Sequence, residues 1–212
     1  MNVDITLPDG SVRNYESPVT GYQIAESIGP RLLKDAICVE IDNKFQDLSY
    51  EISESINIRI VTTKDLDALH ILRHSSAHIL AQAVLNLYPN AQFGVGPSIE
   101  NGFYYDFLFE TPIKENELEN IEKEMKRIAK SEQSFVRSEI TKKDAIKIFK
   151  NQKLKLELIE SAESDEGVGE EIVSTYANDD FIDLCMGPHV PTTSVLKHFK
   201  LTKVSGAYWR GD

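Results

Sequence analysis

Residues 71–85 read ILRHSSAHILAQAVL, and this stretch organises the interpretation of the whole chain. Apolar residues recur in it at three- and four-residue steps, a spacing that predicts an amphipathic helix ending near Pro89. His74 and His78 lie four residues apart, so about one helical turn separates them and both imidazoles project from the same face. The helix therefore offers two imidazoles to one place in the fold.

A second cluster of chemically active residues comes more than a hundred positions later, in the segment Cys185-Met186-Gly187-Pro188-His189. It supplies a thiol and a further imidazole in the pattern C-x-x-x-H. A helix turn with two histidines and a loop with a Cys/His pair can meet in a fold, and we expect that they do.

The residues leave three interpretations of these clusters open. They are unrelated core or surface residues, or they form a zinc site, since two His at i,i+4 with a Cys and a His make a four-ligand set of suitable softness. Alternatively they line a metal-free hydrolytic pocket, in which imidazoles position water and accept protons near neutral pH. Residue types alone favour zinc slightly over the metal-free pocket.

Composition and charge limit the class of protein. The chain has 212 residues, 41% hydrophobic and 27% charged, which is typical of a globular protein of one large domain or two small ones. A formal net charge of −11 is unlike that of duplex-binding proteins, so any RNA contact must use a local basic patch. Candidates for that patch are Lys142, Lys143 and Lys203.

Targeting signals and cysteine usage predict a cytoplasmic protein. No apolar run reaches the roughly 20 residues that a membrane span needs, and we expect no membrane partner. Asp4 and Asp9 interrupt the start where the apolar core of a signal peptide would lie. Cys38 and Cys185 are the only two cysteines and are far apart, so we expect no disulfide framework and a reducing compartment.

The first sixty residues predict a small separate module. Alternation in 3–7 and 11–15 around Pro8-Asp9-Gly10 predicts a hairpin, and Thr20-Gly21-Tyr22-Gln23 fits a capping box at a helix start. Strand-like segments at 36–41 and 56–61 follow. This order predicts a small sheet with one helix packed on it. Nothing in the module resembles a catalytic constellation, so we interpret it as a folding or docking unit.

The rest of the chain predicts a mixture of helices and strands. Helices are expected at 114–132 and 141–150, a mobile acidic loop at 163–171, and strands at 154–159, 172–176, 181–184 and 199–204. Glycines at 94, 96 and 102 indicate either backbone that approaches a ligand or tight hairpins, and hairpins are the simpler explanation. The chain stops abruptly after Trp209-Arg210-Gly211-Asp212, which predicts that it is part of a longer protein.

Four segments, in this order and spacing, resemble the amino-terminal half of bacterial threonyl-tRNA synthetases. They are HSSAH at 74–78, GP at 96–97 with NGFYYD at 101–106, CMGPHVP at 185–191 and GAYWRGD at 206–212. Residues 1–62 resemble the ubiquitin-like TGS module that precedes these motifs in that family. The editing domain of alanyl-tRNA synthetases shares H-x-x-x-H and C-x-x-x-H, but the TGS module and the closing YWRGD favour the threonyl family.

The resemblance implies an α+β fold in two domains. A small ubiquitin-like β-grasp (TGS) domain would occupy 1–62, and a larger α+β editing domain with an antiparallel sheet would occupy 63–212. It also implies a function: the editing domain would hydrolyse the ester of mischarged seryl-tRNA(Thr), while the full enzyme ligates threonine to tRNA(Thr) with ATP. The competing interpretation is a zinc-stabilised module that binds RNA or protein without hydrolytic activity.

The resemblance also carries over a set of site residues. The catalytic positions of the family match His74, His78, Lys155, Cys185 and His189, and its substrate-binding positions match Gly96, Tyr105 and Asp183. The family's editing pocket is described as working without metal, which overrides the slight preference for zinc.

Cofactors and partners follow from the same resemblance. We expect no cofactor in this chain, since ATP, magnesium and zinc belong to the family's catalytic core. The expected partners are tRNA(Thr) and mischarged seryl-tRNA. The full-length enzyme would be a homodimer and this fragment a monomer with weak or no deacylation of its own, because most of the tRNA-binding surface would lie elsewhere.

Overall fold

A computed structural model describes residues 1–161, 167–169 and 171–209 of the chain. It divides the chain into two compact units: Met1–Leu72 with Gly187–Pro191, and Arg73–Met186 with Thr192–Asp212. The predicted loop at 163–171 lies largely outside the described residues, as do the last three residues of the closing motif. None of the helices in the described part of the chain combines the length and the apolar character that a membrane crossing requires.

The first unit is a β-grasp sheet with a helix packed on it, as predicted. Its strands are β1 (Asn2–Thr6), β2 (Val12–Glu16), β3 (Val19–Thr20), β4 (Ala36–Ile41), β5 (Lys44–Asp47), β6 (Glu51–Ile52) and β7 (Ile56–Thr62), and its helices are α1 (Gly21–Ile28) and α2 (Pro30–Asp35). The main sheet has the order β2-β1-β7-β4-β5, in which only β1 and β7 run parallel. Ile24 of α1 is fully buried in the core formed with Val3 and Ile5.

The capping box that starts α1 is present as predicted. The Thr20 N–H donates to Gln23 Oε1 at 2.8 Å, and the Gln23 N–H donates to Thr20 Oγ1 at 3.4 Å. These two bonds satisfy amides that a helix start otherwise leaves without partners. The sequence interpretation missed β5 and α2, and α2 begins at Pro30 directly after α1.

The second unit is an α+β region with antiparallel sheets. Its helices are α3 (Ala68–Leu87, from Arg73 on), α4 (Leu118–Lys130), α5 (Lys142–Ile148) and α6 (Lys153–Ser161). Its strands are β8 (Gln92–Phe93), β9 (Ser98–Ile99), β10 (Gly102–Phe103), β11 (Phe107–Leu108), β12 (Val136–Thr141), β13 (Ile172–Asn178) and β14 (Phe181–Leu184). The largest sheet has the order β12-β13-β14, and β8–β11 and β9–β10 form two short antiparallel pairs. The fold class expected from the sequence is therefore confirmed.

Two strand predictions in this unit are wrong. Residues 154–159 form most of α6, because Leu154 and Leu158 lie four residues apart and cover one buried face of a helix. Residues 199–204 have no regular secondary structure. The strand predicted at 181–184 is present with the predicted ends, and the strand predicted at 172–176 and the helices predicted at 114–132 and 141–150 are present with shifted ends.

Candidate functional site

The long helix and the last strand of the second unit bring the site residues together. α3 carries His74 and His78, β14 carries Asp183, and Cys185 directly follows that strand. Side chains alternate along a strand, so Asp183 and Cys185 project to the same side of the sheet. Both side chains are buried, with exposed fractions of 1% and 5%.

The two motifs predicted to meet do so through His74 and Cys185. His74 Nε2 lies 3.0 Å from Cys185 Sγ, within hydrogen-bonding distance. The His74 and His78 rings lie edge to face with centroids 5.1 Å apart, as expected for neighbours one turn apart. Two imidazoles and one thiol therefore share a small buried region.

A buried ion pair lies beside these groups. Lys155 Nζ is 2.5 Å from Asp183 Oδ1, and the two side chains are 0% and 1% exposed. The Tyr105 hydroxyl donates to Asp183 Oδ2 at 2.5 Å and accepts from Lys155 Nζ at 3.2 Å. Each of the three side chains thus contacts the other two, so the charge of Lys155 and that of Asp183 are both compensated.

His78 adjoins this ion pair and is held neutral. Its Nε2 lies 3.7 Å from Asp183 Oδ2, and only 2% of the residue is exposed. Burial, together with the charge of the nearby Lys155 ammonium, lowers the pKa of His78 to about 3. His74, one turn earlier, is only half-buried. The two histidines therefore have different environments despite their equivalent positions in the motif.

Gly96 makes room for a protein side chain, and its predicted contact with substrate stays a prediction. A Cβ at Gly96 would lie 2.1 Å from Cδ2 of Tyr105. A Cβ at Gly94 would lie 2.3 Å from the indole of Trp209, whose N–H donates to Glu157 at 2.8 Å. Since β9 and β10 also pair as a hairpin, the hairpin interpretation of this glycine-rich segment is confirmed.

His189 lies in the segment Gly187–Pro191, which belongs to the first unit. Only 1% of His189 is exposed, and its backbone N–H donates to Asp47 Oδ1 at 2.9 Å. Its participation in the site stays a prediction.

One aromatic group of the site was missed by the sequence interpretation. Lys155 Nζ lies 4.8 Å from the centre of the Phe93 ring and 5.7 Å from that of Tyr105. Aromatic faces attract a cation, so these rings stabilise the buried ammonium in addition to Asp183. The only sequence signal for Phe93 was its position directly before Gly94, which does not distinguish it from other turn residues.

The donor atoms are suited to a metal ion. One ligand atom from each of His74, His78 and Cys185 lies within 4.8 Å of the others. Imidazole nitrogen and thiolate sulfur are ligands that Zn²⁺ prefers. Both cysteines are free thiols, as expected.

Two family models match parts of the chain. The TGS domain matches residues 3–62, and the "Threonyl and Alanyl tRNA synthetase second additional domain" matches residues 173–208. The second match contains β14 and Cys185, and the first covers the β-grasp sheet.

Full-length relatives resemble the chain from end to end. The Threonine--tRNA ligase of Francisella philomiragia subsp. philomiragia is 50% identical over 212 residues, 99% of this chain and 33% of that protein. The Threonine--tRNA ligases of Ralstonia nicotianae and Paraburkholderia phytofirmans are 47% and 49% identical to it, again over 99% of this chain and 33% of each relative. The chain thus carries a TGS domain and a second additional domain, and it is similar to the amino-terminal region of these ligases. It spans about a third of their length, less than the half that the motifs suggested.

The neutral state of His78 predicts a specific pH dependence of stability. Below a pH of about 6.5 the unfolded chain protonates His78, whereas the folded chain keeps it neutral until the pH approaches about 3. The wild-type protein therefore loses stability through His78 as the pH falls, by about 2 kcal/mol at pH 5. His78→Asn removes this contribution, so the difference in free energy of unfolding between wild type and variant should shrink by that amount from pH 7 to pH 5.

Urea denaturation followed by the fluorescence of Trp209, the single tryptophan, measures this difference in the second unit. Parallel pH dependences of wild type and variant would show that His78 is protonated in the folded protein.

Proposed function

We propose that this chain is the amino-terminal region of a threonyl-tRNA synthetase and that its second unit hydrolyses the ester of mischarged seryl-tRNA(Thr). The observation that carries this proposal is the 3.0 Å contact between His74 Nε2 and Cys185 Sγ, directly beside the buried Lys155–Asp183 pair. Imidazole, thiol, ammonium and carboxylate within one buried region are suited to proton transfer during ester hydrolysis.

The substrate class follows from the limits of side-chain recognition. Serine lacks one methyl group of threonine, and a pocket gains only about 1–3 kcal/mol from such a difference. A synthetic site that accepts threonine therefore also accepts some serine. A second site that excludes threonine by crowding around the seryl side chain and hydrolyses the smaller ester restores accuracy.

His74 positions the attacking water in this proposal. A water oxygen attacks the seryl carbonyl carbon, the ester bond to the ribose breaks, and the ribose oxygen leaves with a proton. His74 is half-buried, so its imidazole is within reach of both water and substrate. Cys185 holds that ring through its 3.0 Å contact and lines the pocket.

His78 acts as a neutral imidazole rather than as an acid. Because its pKa is lowered to about 3, it carries no proton to give from an imidazolium near pH 7. Its role is to hydrogen-bond and to orient, 3.7 Å from the Asp183 carboxylate. Protons that reach the leaving ribose oxygen therefore come from His74, from Lys155 or from a ribose hydroxyl.

Asp183 and Lys155 have paired roles in the proposal. Asp183 binds the substrate ammonium, which is feasible because an ionised carboxylate has about four acceptor sites and Lys155 and Tyr105 occupy two. Lys155 assists His74 in placing the water. Gly96 contributes by leaving space for Tyr105.

The remaining steps of aminoacylation are assigned to the part of the relatives that this chain does not span. ATP, magnesium, threonine activation and the zinc of the synthetic core belong there, and so does the homodimer interface, which leaves this chain a monomer. The reaction takes place in the cytoplasm with tRNA(Thr) as partner.

A second candidate function is favoured by the metal-ligand geometry. His74, His78 and Cys185 would hold a zinc ion. Bound zinc would supply a Lewis acid or a structural crosslink. The module would then bind RNA or protein without hydrolysis.

Deacylation of preformed seryl-tRNA(Thr) tests the first proposal. The chain should hydrolyse this ester faster than threonyl- or alanyl-tRNA, and His74→Ala and Lys155→Ala should each reduce the rate by about a hundredfold or more. Because tRNA binding by this third of the protein is expected to be weak, the assay uses a large excess of protein over tRNA and follows a single turnover.

The matched controls are His198→Ala and Lys44→Ala, which remove an exposed histidine and an exposed lysine. Seryl-tRNA hydrolysis that is absent under excess protein, or unchanged in both site variants, contradicts the proposal. Circular dichroism of each variant shows whether a lost rate reflects a lost fold.

Metal analysis of the purified chain separates the two functions. If the chain is a hydrolase that works without metal, the purified protein should contain much less than one zinc per chain. A chelator should then leave the deacylation rate unchanged. One zinc per chain together with no deacylation of any of the three esters supports the binding module instead.

The tRNA contact is assigned to the basic residues of the second unit. Lys143 and Lys203 are exposed and Lys142 is half-buried. Lys143→Glu and Lys203→Glu should weaken tRNA binding and lower its dependence on salt by about one unit of slope per lost phosphate contact. Filter binding at several salt concentrations measures both. Lys130→Glu, at the exposed end of α4, is the control, and equal effects in all three variants would contradict a specific basic patch.

A further inference from the structure

Two glutamine side chains fix the helix that carries Lys155. α6 begins at Lys153 and lies next to the short strand β8, which contains Gln92 and Phe93. Gln152 immediately precedes α6, and Gln92 faces it from β8. Neither glutamine belongs to the set of residues proposed to contact substrate.

Gln152 bonds to the backbone on both sides of Gln92. Its Oε1 accepts the Phe93 N–H at 3.2 Å, and its Nε2 donates to the Ala91 carbonyl at 3.2 Å. One side-chain amide therefore satisfies a backbone donor and a backbone acceptor of the β8 segment, as a neighbouring strand would.

Gln92 makes the reciprocal contact. Its Oε1 accepts the Lys153 N–H at 2.6 Å, and Lys153 is the first residue of α6. The first N–H groups of a helix have no partner within the helix, so this bond caps the helix start. Three hydrogen bonds thus fix the start of α6 relative to β8 in position and in rotation.

The same hydrogen bonds set the position of the buried Lys155 ammonium relative to the groups around it. Lys155 lies in the first turn of α6, three residues after Gln152, so the position of the helix start also sets the position of Lys155. The Phe93 N–H that Gln152 binds belongs to the residue whose ring lies 4.8 Å from Lys155 Nζ. A shift of α6 against β8 would therefore move Lys155 relative to Phe93 and to Asp183.

We propose that Gln152 is a positioning residue for Lys155, with Gln92 as its counterpart. It touches no substrate and acts by holding the ammonium against Asp183 and Tyr105. The inference rests on the proposed hydrolytic function for its kinetic consequence, but its structural consequence can be measured independently.

Gln152→Met tests the proposal, because methionine keeps the length of the side chain and removes both bonds. The variant should lower kcat for seryl-tRNA hydrolysis by about tenfold to a hundredfold with little change in KM, since the tRNA contacts lie elsewhere. The Lys155 amine, fully buried in the wild type, should react at least about tenfold faster with acetic anhydride, as measured by mass spectrometry of its peptide. Gln92→Met should give the same pattern.

Gln46→Met, a half-buried glutamine of β5 in the first unit, is the matched control and should change neither quantity. If Gln152→Met and Gln92→Met leave Lys155 protected and kcat unchanged, the positioning role is wrong. A wild-type chain without deacylation overturns the proposed function alone, and Lys155 reactivity then still decides the positioning role. If one variant does not fold, the other supplies the result.

Discussion

The buried pairing of Lys155 with Asp183 is the constraint on which the rest of the second unit depends. Both side chains are almost completely removed from water, and their charged atoms are 2.5 Å apart. Removing a charge from water costs several kcal/mol, and the attraction within the pair offsets this only with good geometry and further hydrogen bonds. The Tyr105 hydroxyl supplies those bonds to both partners. Helix α6, strand β14 and the segment before β11 must therefore meet in one arrangement.

That pairing also sets the properties of the histidine motif. His78 lies against the pair and is buried, so the positive charge of Lys155 and the lack of water both disfavour its protonation. His74 lies one turn nearer the start of the helix, is half-buried, and contacts the Cys185 thiol instead. The two histidines of the motif therefore differ: His78 is buried and neutral, and His74 is half-buried. A buried ion pair by itself adds little stability, so its presence beside His78, whose pKa is strongly lowered, favours a functional reason for it.

Local patterns predicted the first unit and the meeting of the two motifs. Thr20 and Gln23 form the capping box, and His74 and His78 lie side by side on α3, because capping and hydrophobic periodicity act over a few residues. The contact of His74 with Cys185 joins distant parts of the sequence, and it was expected from the residue types of the two motifs. In the sequence, Leu154, Leu156 and Leu158 alternate with charged residues, and this alternation predicts a strand that contains Lys155. The same segment contains Leu, Lys and Glu, which favour helices, and few β-branched residues. Contacts with the distant strand β8, which no local pattern describes, fix where this helix begins.

The glycines near residue 96 show that a missing Cβ has more than one explanation. A missing Cβ indicates that something approaches the backbone closely, but it does not identify what approaches. At Gly96 the approaching group is the Tyr105 ring, and at Gly94 it is the Trp209 indole. Tyr105 in turn holds Asp183, so Gly96 affects the proposed site through two successive contacts. A side chain at position 96 would displace the ring and leave the Lys155–Asp183 pair without the hydroxyl that bonds to both partners.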